Sequence, residues 1–135
     1  MFNNIDHIGH VVKSFDEAMD LYTKRFGLTP IRVMEFPEFG SKMAFFPFGG
    51  IEIEVIQPGG KGEDPAARCL KERGEGVFHL SMRVSDYDGE VKKWRDKGFT
   101  VNEYTHQTSD RTVRIAFLNP EEVKGLWIEF IQEEA

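Results

Sequence analysis

The stretch "GIEIEVI" at residues 50–56 alternates apolar and acidic positions, and "LWIEFIQ" at 126–132 repeats the pattern. Alternate side chains of a strand share a face. Ile51, Ile53 and Val55 therefore fall on one side of the first stretch, opposite Glu52, Glu54 and Ile56. In the second, Ile128 and Phe130 oppose Trp127, Glu129 and Ile131. Two more segments carry histidine in a strand pattern. "IDHIGHVV" sets Ile8 and Val12 against His7, and "FHLSMRV" sets Leu80, Met82 and Val84 against His79, Ser81 and Arg83.

The two halves of the chain match. Placing His7 on His79, an offset of 72 residues, lays "HIGHVVKSFDEAMDLYTKRFG" over "HLSMRVSDYDGEVKKWRDKGF". Val12 then meets Val84, Phe15 meets Tyr87, Asp16 meets Asp88 and Tyr22 meets Trp94, while Glu54 meets Glu129 at an offset of 75. Identities are few, but the order of element types is the same, which marks a duplicated unit. In the first unit a strand precedes a helix that Ser14 caps, with Glu17 completing a capping box. Ala18, Leu21, Tyr22 and Phe26 form its apolar stripe and Gly27 stops it. Strands follow over about 31–36, 42–47 and 51–57. The second unit has a helix over 87–97 carrying Val91 and Trp94, ended by Gly98, and strands near 100–104, 113–118 and 125–132. Between the halves, Asp64 and Pro65 open a short helix that Gly74 closes.

Composition narrows the function classes. A chain of 135 residues with 40% apolar and 13% aromatic content builds one ordinary core or two small half-cores. Its net charge of -6 argues against nucleic acid or an anionic membrane as partner, since both require a clustered basic field. Cys69 is the single cysteine, which excludes an internal disulfide and a multi-cysteine metal site. No run approaches the roughly 18 apolar residues of a membrane helix, and "MFNNIDHIGH" does not read as a signal peptide. A soluble, cytoplasmic protein is the expectation.

If each sheet packs its helix on the apolar face, His7, Glu54, His79 and Glu129 all look away from the helices, towards whatever the two sheets enclose. Two imidazoles and two carboxylates make a mixed N/O set suited to zinc, cobalt, manganese, nickel or iron. Taken singly, a strand glutamate is ordinarily a solvated face residue and a strand histidine a core residue. The recurrence of histidine then glutamate, 47 and 50 residues apart in matching halves, favours the ligand reading. Glu52 shares the face of Glu54 and replaces it if the register shifts by two. His10 reads as a helix-facing core or rim residue, His106 in "THQTSD" as part of a loop, and Cys69 as packing.

These residues carry a resemblance. "IDHIGHVVKSFDEAMDLYTKRFGL" resembles the opening of the vicinal oxygen chelate (glyoxalase/bleomycin resistance/dioxygenase) superfamily, and within it the methylmalonyl-CoA epimerase family. "DPAARCLKERGEGVFHLSMRVSD" is similar to that family's inter-module helix running into its second metal histidine, and "IAFLNPEEVKGLWIEFIQ" to its closing segment. The resemblance implies an α+β fold of two tandem βαβββ modules forming a curved, partly open barrel-like sheet around a metal cavity. The modules would span about 1–60 and 76–135 of a single domain, with a helical linker over about 61–75. The family's four ligands fall on His7, Glu54, His79 and Glu129. Three departures stand out. Phe78 replaces a histidine commonly found before the second metal histidine, Asn119-Pro120-Glu121 replaces His-Pro-Lys, and Met43 or Lys42 occupies the place of a second catalytic glutamate.

The activity implied is epimerisation or isomerisation of a 2-substituted acyl-CoA, methylmalonyl-CoA above all, through an enolate stabilised by a bound divalent ion. In related enzymes a metal-bound glutamate also acts as base, which makes Glu129 the first catalytic candidate and Glu52 a second. Lys42, Arg111, Arg114 and Lys124 are candidates for holding an anionic tail such as a CoA phosphate, or else ordinary surface charges. Alternatives within the superfamily are a glyoxalase I-like lyase acting on a thiol adduct and a metal-free protein that sequesters drugs. Members of the fold are commonly homodimers.

Overall fold

The structure is a computed structural model that describes residues 4–37, 40–60, 64–107 and 112–132. Its elements run β1 (Asn4–Val11), α1 (Phe15–Asp20), β2 (Arg32–Phe36), β3 (Ser41–Phe48), β4 (Ile51–Gln57), α2 (Pro65–Arg73), β5 (Gly76–Val84), α3 (Tyr87–Asp96), β6 (Val101–Gln107), β7 (Thr112–Leu118) and β8 (Ile128–Gln132). The βαβββ order expected of each half is present twice. The chain divides into two compact units, one of residues 7–78 and one of residues 79–135 with 1–6.

In the first unit the strand order is β2-β3-β4-β1. β2 and β3, like β3 and β4, are antiparallel, whereas β1 runs parallel to β4 with Gly9 opposite Glu54. The helix-facing side of this sheet packs Val12, Ala44, Phe46 and Val55 against Phe15, Ala18 and Tyr22. Ser14 caps α1 by accepting from the Glu17 amide at 3.2 Å. The helix then departs from the regular form that its apolar stripe predicts. Leu21–Arg25 is π-helical, and the Phe26 amide reaches back five residues to the Leu21 carbonyl. Single π turns of this kind occur inside α-helices where a side chain needs to be re-aimed. Here the turn carries Tyr22, which stacks on Phe46 at 4.8 Å and meets the ring of His10 through a 2.8 Å hydrogen bond.

The second unit repeats the plan in the order β5-β8-β7-β6. β5 and β8 are parallel, with Ser81 opposite Glu129. Val84, Ala116, Leu118 and Phe130 pack against Tyr87 and Val91 of α3, with Trp94 against the same cluster. Asp86 caps α3 by accepting from the Gly89 amide at 3.0 Å, and a Cβ on Gly89 would collide with that carboxylate at 2.1 Å. A larger residue at this position would require the Asp86 carboxylate to move. Glu90 takes the place of Ala18 in the repeat. It is buried, and it accepts from the Trp94 indole at 3.0 Å and pairs with Lys93 at 3.1 Å, which offsets the cost of burying a carboxylate.

Two expectations are corrected. The closing strand begins at Ile128 rather than near 125, because Pro120–Val123 forms a 3₁₀ turn. Lys124 ends that turn in the left-handed region, and the Gly125 amide returns to the Pro120 carbonyl at 2.7 Å, so the chain cannot extend until after this reversal. His106 belongs to β6, paired opposite Val113, and not to a loop, because the β6–β7 ladder persists as far as Gln107 and Thr112.

Packing of this kind predicts unequal costs for truncation. Phe46→Ala, at a fully buried position, is expected to lower stability by about 3–5 kcal/mol. Val77→Ala, at a position 65% exposed, should stay within about 0.5 kcal/mol of the parent. Urea unfolding midpoints measure both, and equal midpoints for the two variants would contradict the packing described.

Candidate metal centre

The chemistry sits on the sheet faces turned away from the helices. In the first unit, alternation along β4 sends Ile53 and Val55 to the helix cluster and Glu54 to the other side, where His7 of β1 also points. Glu54 Oε2 stands 3.8 Å from His7 Nε2. In the second unit Ile128 and Phe130 face the helix, and Glu129 Oε1 stands 3.7 Å from His79 Nε2. Relative exposures are 4% for His7, 9% for Glu54, 2% for His79 and 5% for Glu129, so all four ionisable groups are buried.

The match between units extends to their surroundings. Phe45 meets His7 edge-on, with centroids 5.7 Å apart, and Phe117 meets His79 in the same way at 5.6 Å. The two phenylalanines stand 72 residues apart, like the histidines. Divergence begins one position away. Beside His7 the register places Glu52, paired with Arg32 at 3.3 Å, and the Arg32 guanidinium lies 4.3 Å over the Phe45 ring. Beside Phe117 stand Trp127 and Tyr104, both edge-on, at 6.2 and 6.0 Å. One histidine has an ionic neighbourhood and the other an aromatic one.

The donor chemistry fits a divalent cation. At 3.7 and 3.8 Å each imidazole and its facing carboxylate oxygen lie beyond direct hydrogen-bond reach. Two donors each about 2.1 Å from a tetrahedral ion stand about 3.4 Å apart, within a few tenths of those separations.

The comparisons with known proteins agree with this architecture. Residues 6–117 match the family model described as the Glyoxalase/Bleomycin resistance protein/Dioxygenase superfamily. The chain belongs to that superfamily. The uncharacterized protein YqjC of Bacillus subtilis is 25% identical over 130 residues, covering 96% of this chain and 92% of that one. Human mitochondrial methylmalonyl-CoA epimerase is 20% identical over 128 residues, 95% of this chain and 73% of that protein. The crystal structure of methylmalonyl-CoA epimerase from Mycobacterium tuberculosis superimposes with a TM-score of 0.80 at 25% identity, covering 99% of this chain and 90% of that one. The glyoxalase-like α+β fold implied by the resemblance is thereby shown.

The remaining candidates are scattered. Met43 lies on the Phe45 side of β3, opposite Ile56. Lys42 alternates with it and shares the side of Ala44 and Phe46, which pack on the helix. Arg114 is also on a helix-facing side: it pairs with Asp88 of α3, and its guanidinium lies 4.2 Å over Tyr87. Lys124 is exposed in the turn before β8. Arg111 lies outside the described residues. No helix among the described residues is long and apolar enough to cross a membrane. Cys69 is buried in α2 and its thiol pKa is raised by desolvation, as a packing role requires.

Sequence reasoning singled out neither the two phenylalanines, nor Arg32, nor Ser81. Extending the repeat beyond its histidines would have found Phe45 and Phe117. His10 is helix-facing as expected, and burial lowers its pKa, with Glu75 opposing that shift. As pH falls, the unfolded chain therefore takes up this proton before the native one, and the stability attached to neutral His10 is lost below about 6.5. A His10→Gln variant is expected to lose stability less steeply than the parent between about pH 7 and pH 5 in urea unfolding. Parallel curves would remove His10 from this account.

Proposed function

We propose that the two histidine–glutamate pairs together hold one divalent cation, and that the protein is a metal-dependent epimerase of a 2-substituted acyl-CoA such as methylmalonyl-CoA. The observation that carries this reading is the repeated register. In each unit a buried histidine and a buried carboxylate face one another across parallel strands, with the same phenylalanine edge behind the imidazole. The similarity to methylmalonyl-CoA epimerases over nearly the whole chain supports the substrate class.

His7, Glu54, His79 and Glu129 would be the ligands. Cobalt, zinc, manganese or nickel each suits such a set. A divalent ion held there supplies a Lewis acid for the negative charge that grows on a carbonyl oxygen as the neighbouring carbon loses its proton. The carboxylate of Glu129 would accept that proton, and delivery of a solvent-exchanged proton to the opposite face of the planar carbon by a second group would invert the centre. Glu52 is the second candidate base, although its partner Arg32 holds it in an ion pair. That same Arg32, on the His7 side of β2, is available to meet an anionic substrate group. A homodimer in the cytoplasm completes the reading.

Metal-loaded protein incubated with methylmalonyl-CoA in deuterated water should exchange the α-hydrogen, followed by NMR, well above the protein-free rate. Absence of exchange with metal bound would remove the epimerase reading. Turnover of a glutathione thiol adduct in its place would install the lyase reading. Glu129→Gln is expected to slow exchange by about 10²–10⁴-fold, as loss of a general base does. His79→Ala should lose bound metal by elemental analysis. Unchanged stoichiometry in that variant would count heavily against the proposed site, and a parent protein that takes up no metal would argue instead for a metal-free binder.

A further inference from the structure

Four ionisable residues repeat between the units, but the residue opposite each glutamate does not. Across the β5–β8 ladder, Glu129 faces Ser81, and across the β1–β4 ladder Glu54 faces Gly9. Gly9 and Ser81 occupy the same place in the repeat, two residues beyond His7 and His79. Ser81 is fully buried, and its hydroxyl donates to Glu129 Oε1 at 2.6 Å. That length is typical of a hydroxyl bonded to an ionised carboxylate. A buried hydroxyl is costly unless it has a partner, and in this register its partner is the carboxylate directly across the ladder. Gly9 has no side chain with which to do the same for Glu54.

We infer that Ser81 is a positioning residue that fixes the orientation of the Glu129 carboxylate, a role that Gly9, at the same place in the repeat, has no side chain to fill. This rests on the proposed cation site but not on the identity of its substrate. The oxygen that Ser81 holds is the one 3.7 Å from His79 Nε2, so a single hydroxyl sets how that carboxylate is presented beside the imidazole. A carboxylate that must bind a cation and also take a proton needs a defined plane, and a donor on one oxygen supplies it.

The test uses cobalt(II) as probe, so that it is independent of turnover. Ser81→Ala is expected to bind cobalt(II) about ten- to hundredfold more weakly, the usual cost of removing a group that orients a metal ligand, and to shift the visible absorption bands of the bound ion. Ser81→Thr keeps the hydroxyl and should restore both, whereas Ser81→Cys, similar in size but a weak donor, should not. A merely structural role would lower the urea midpoint without moving the cobalt spectrum. Cobalt affinity and spectrum equal to the parent in Ser81→Ala would overturn the inference, as would a threonine variant that behaves like the alanine one. With methylmalonyl-CoA in deuterated water, the alanine variant should lose rate in kcat rather than KM. A parent protein that binds cobalt but fails to exchange the substrate rejects the epimerase reading and leaves the cobalt comparison to decide the role of Ser81.

Discussion

Parallel pairing of a unit's first and last strands is the constraint on which the rest depends. A strand presents alternate residues to opposite faces. Pairing β1 with β4, and β5 with β8, therefore sorts each strand into a helix-facing half and a half that faces away. The helix-facing halves supply the apolar clusters of both units. The same alternation sends His7, Glu54, His79 and Glu129 to the other side. A slip of one residue in either ladder would send a glutamate into the helix cluster and an isoleucine to the histidine, so register and function cannot be separated.

That arrangement has an energetic cost. Each unit buries an imidazole and a carboxylate, and burying a carboxylate without compensation costs several kcal/mol. Glu90 shows how the chain handles such a group when structure alone is at stake: an indole N–H and an ammonium satisfy it within α3. His7–Glu54 and His79–Glu129 are arranged otherwise: one imidazole nitrogen and one carboxylate oxygen stand 3.8 and 3.7 Å apart, and Ser81 donates to that oxygen of Glu129. Keeping a buried imidazole and carboxylate at that separation, twice, is the pattern expected where a third species is to be shared between them.

Most of the frame was legible from residues because it rests on periodicity. Period-two alternation in "GIEIEVI" and "LWIEFIQ" sorted the faces correctly, and Ser14, Asp64 and Gly74 marked helix ends where the structure has them. The unread parts depend on tertiary choices that a local pattern does not encode. The π turn at Leu21–Arg25 accompanies the placement of Tyr22 between His10 and Phe46, partners 12 and 24 residues away. The late start of β8 follows from the left-handed Lys124, an uncommon conformation for lysine. His106 sits in a polar stretch that reads as loop, yet ladder bonds to β7 extend the strand through it. Lys42 and Arg114 qualify as anion-binding candidates on charge alone, and alternation places both on the helix-facing sides of β3 and β7.

A duplicated unit begins with two equivalent halves, and equivalence is a handicap for an unsymmetrical substrate. Any task that treats two ends of a molecule differently must be written where the repeat fails. Two of the differences lie beside the histidines. Gly9 stands opposite Glu54 where the other unit sets Ser81 opposite Glu129. Glu52, ion-paired with Arg32, stands where the other unit has the buried indole of Trp127, so one neighbourhood is charged and the other apolar. An acyl-CoA bearing a second carboxylate has that same division, with an anionic group on one side of the reacting carbon and an apolar substituent on another. In the proposed reading, the part of the repeat that the two units share would hold the cation, and the part that differs would orient a substrate against it. Substitutions that made the two units alike, such as replacing Arg32 and Glu52 with aromatic residues, would leave the cation donors in place while erasing the distinction between the ends of the substrate.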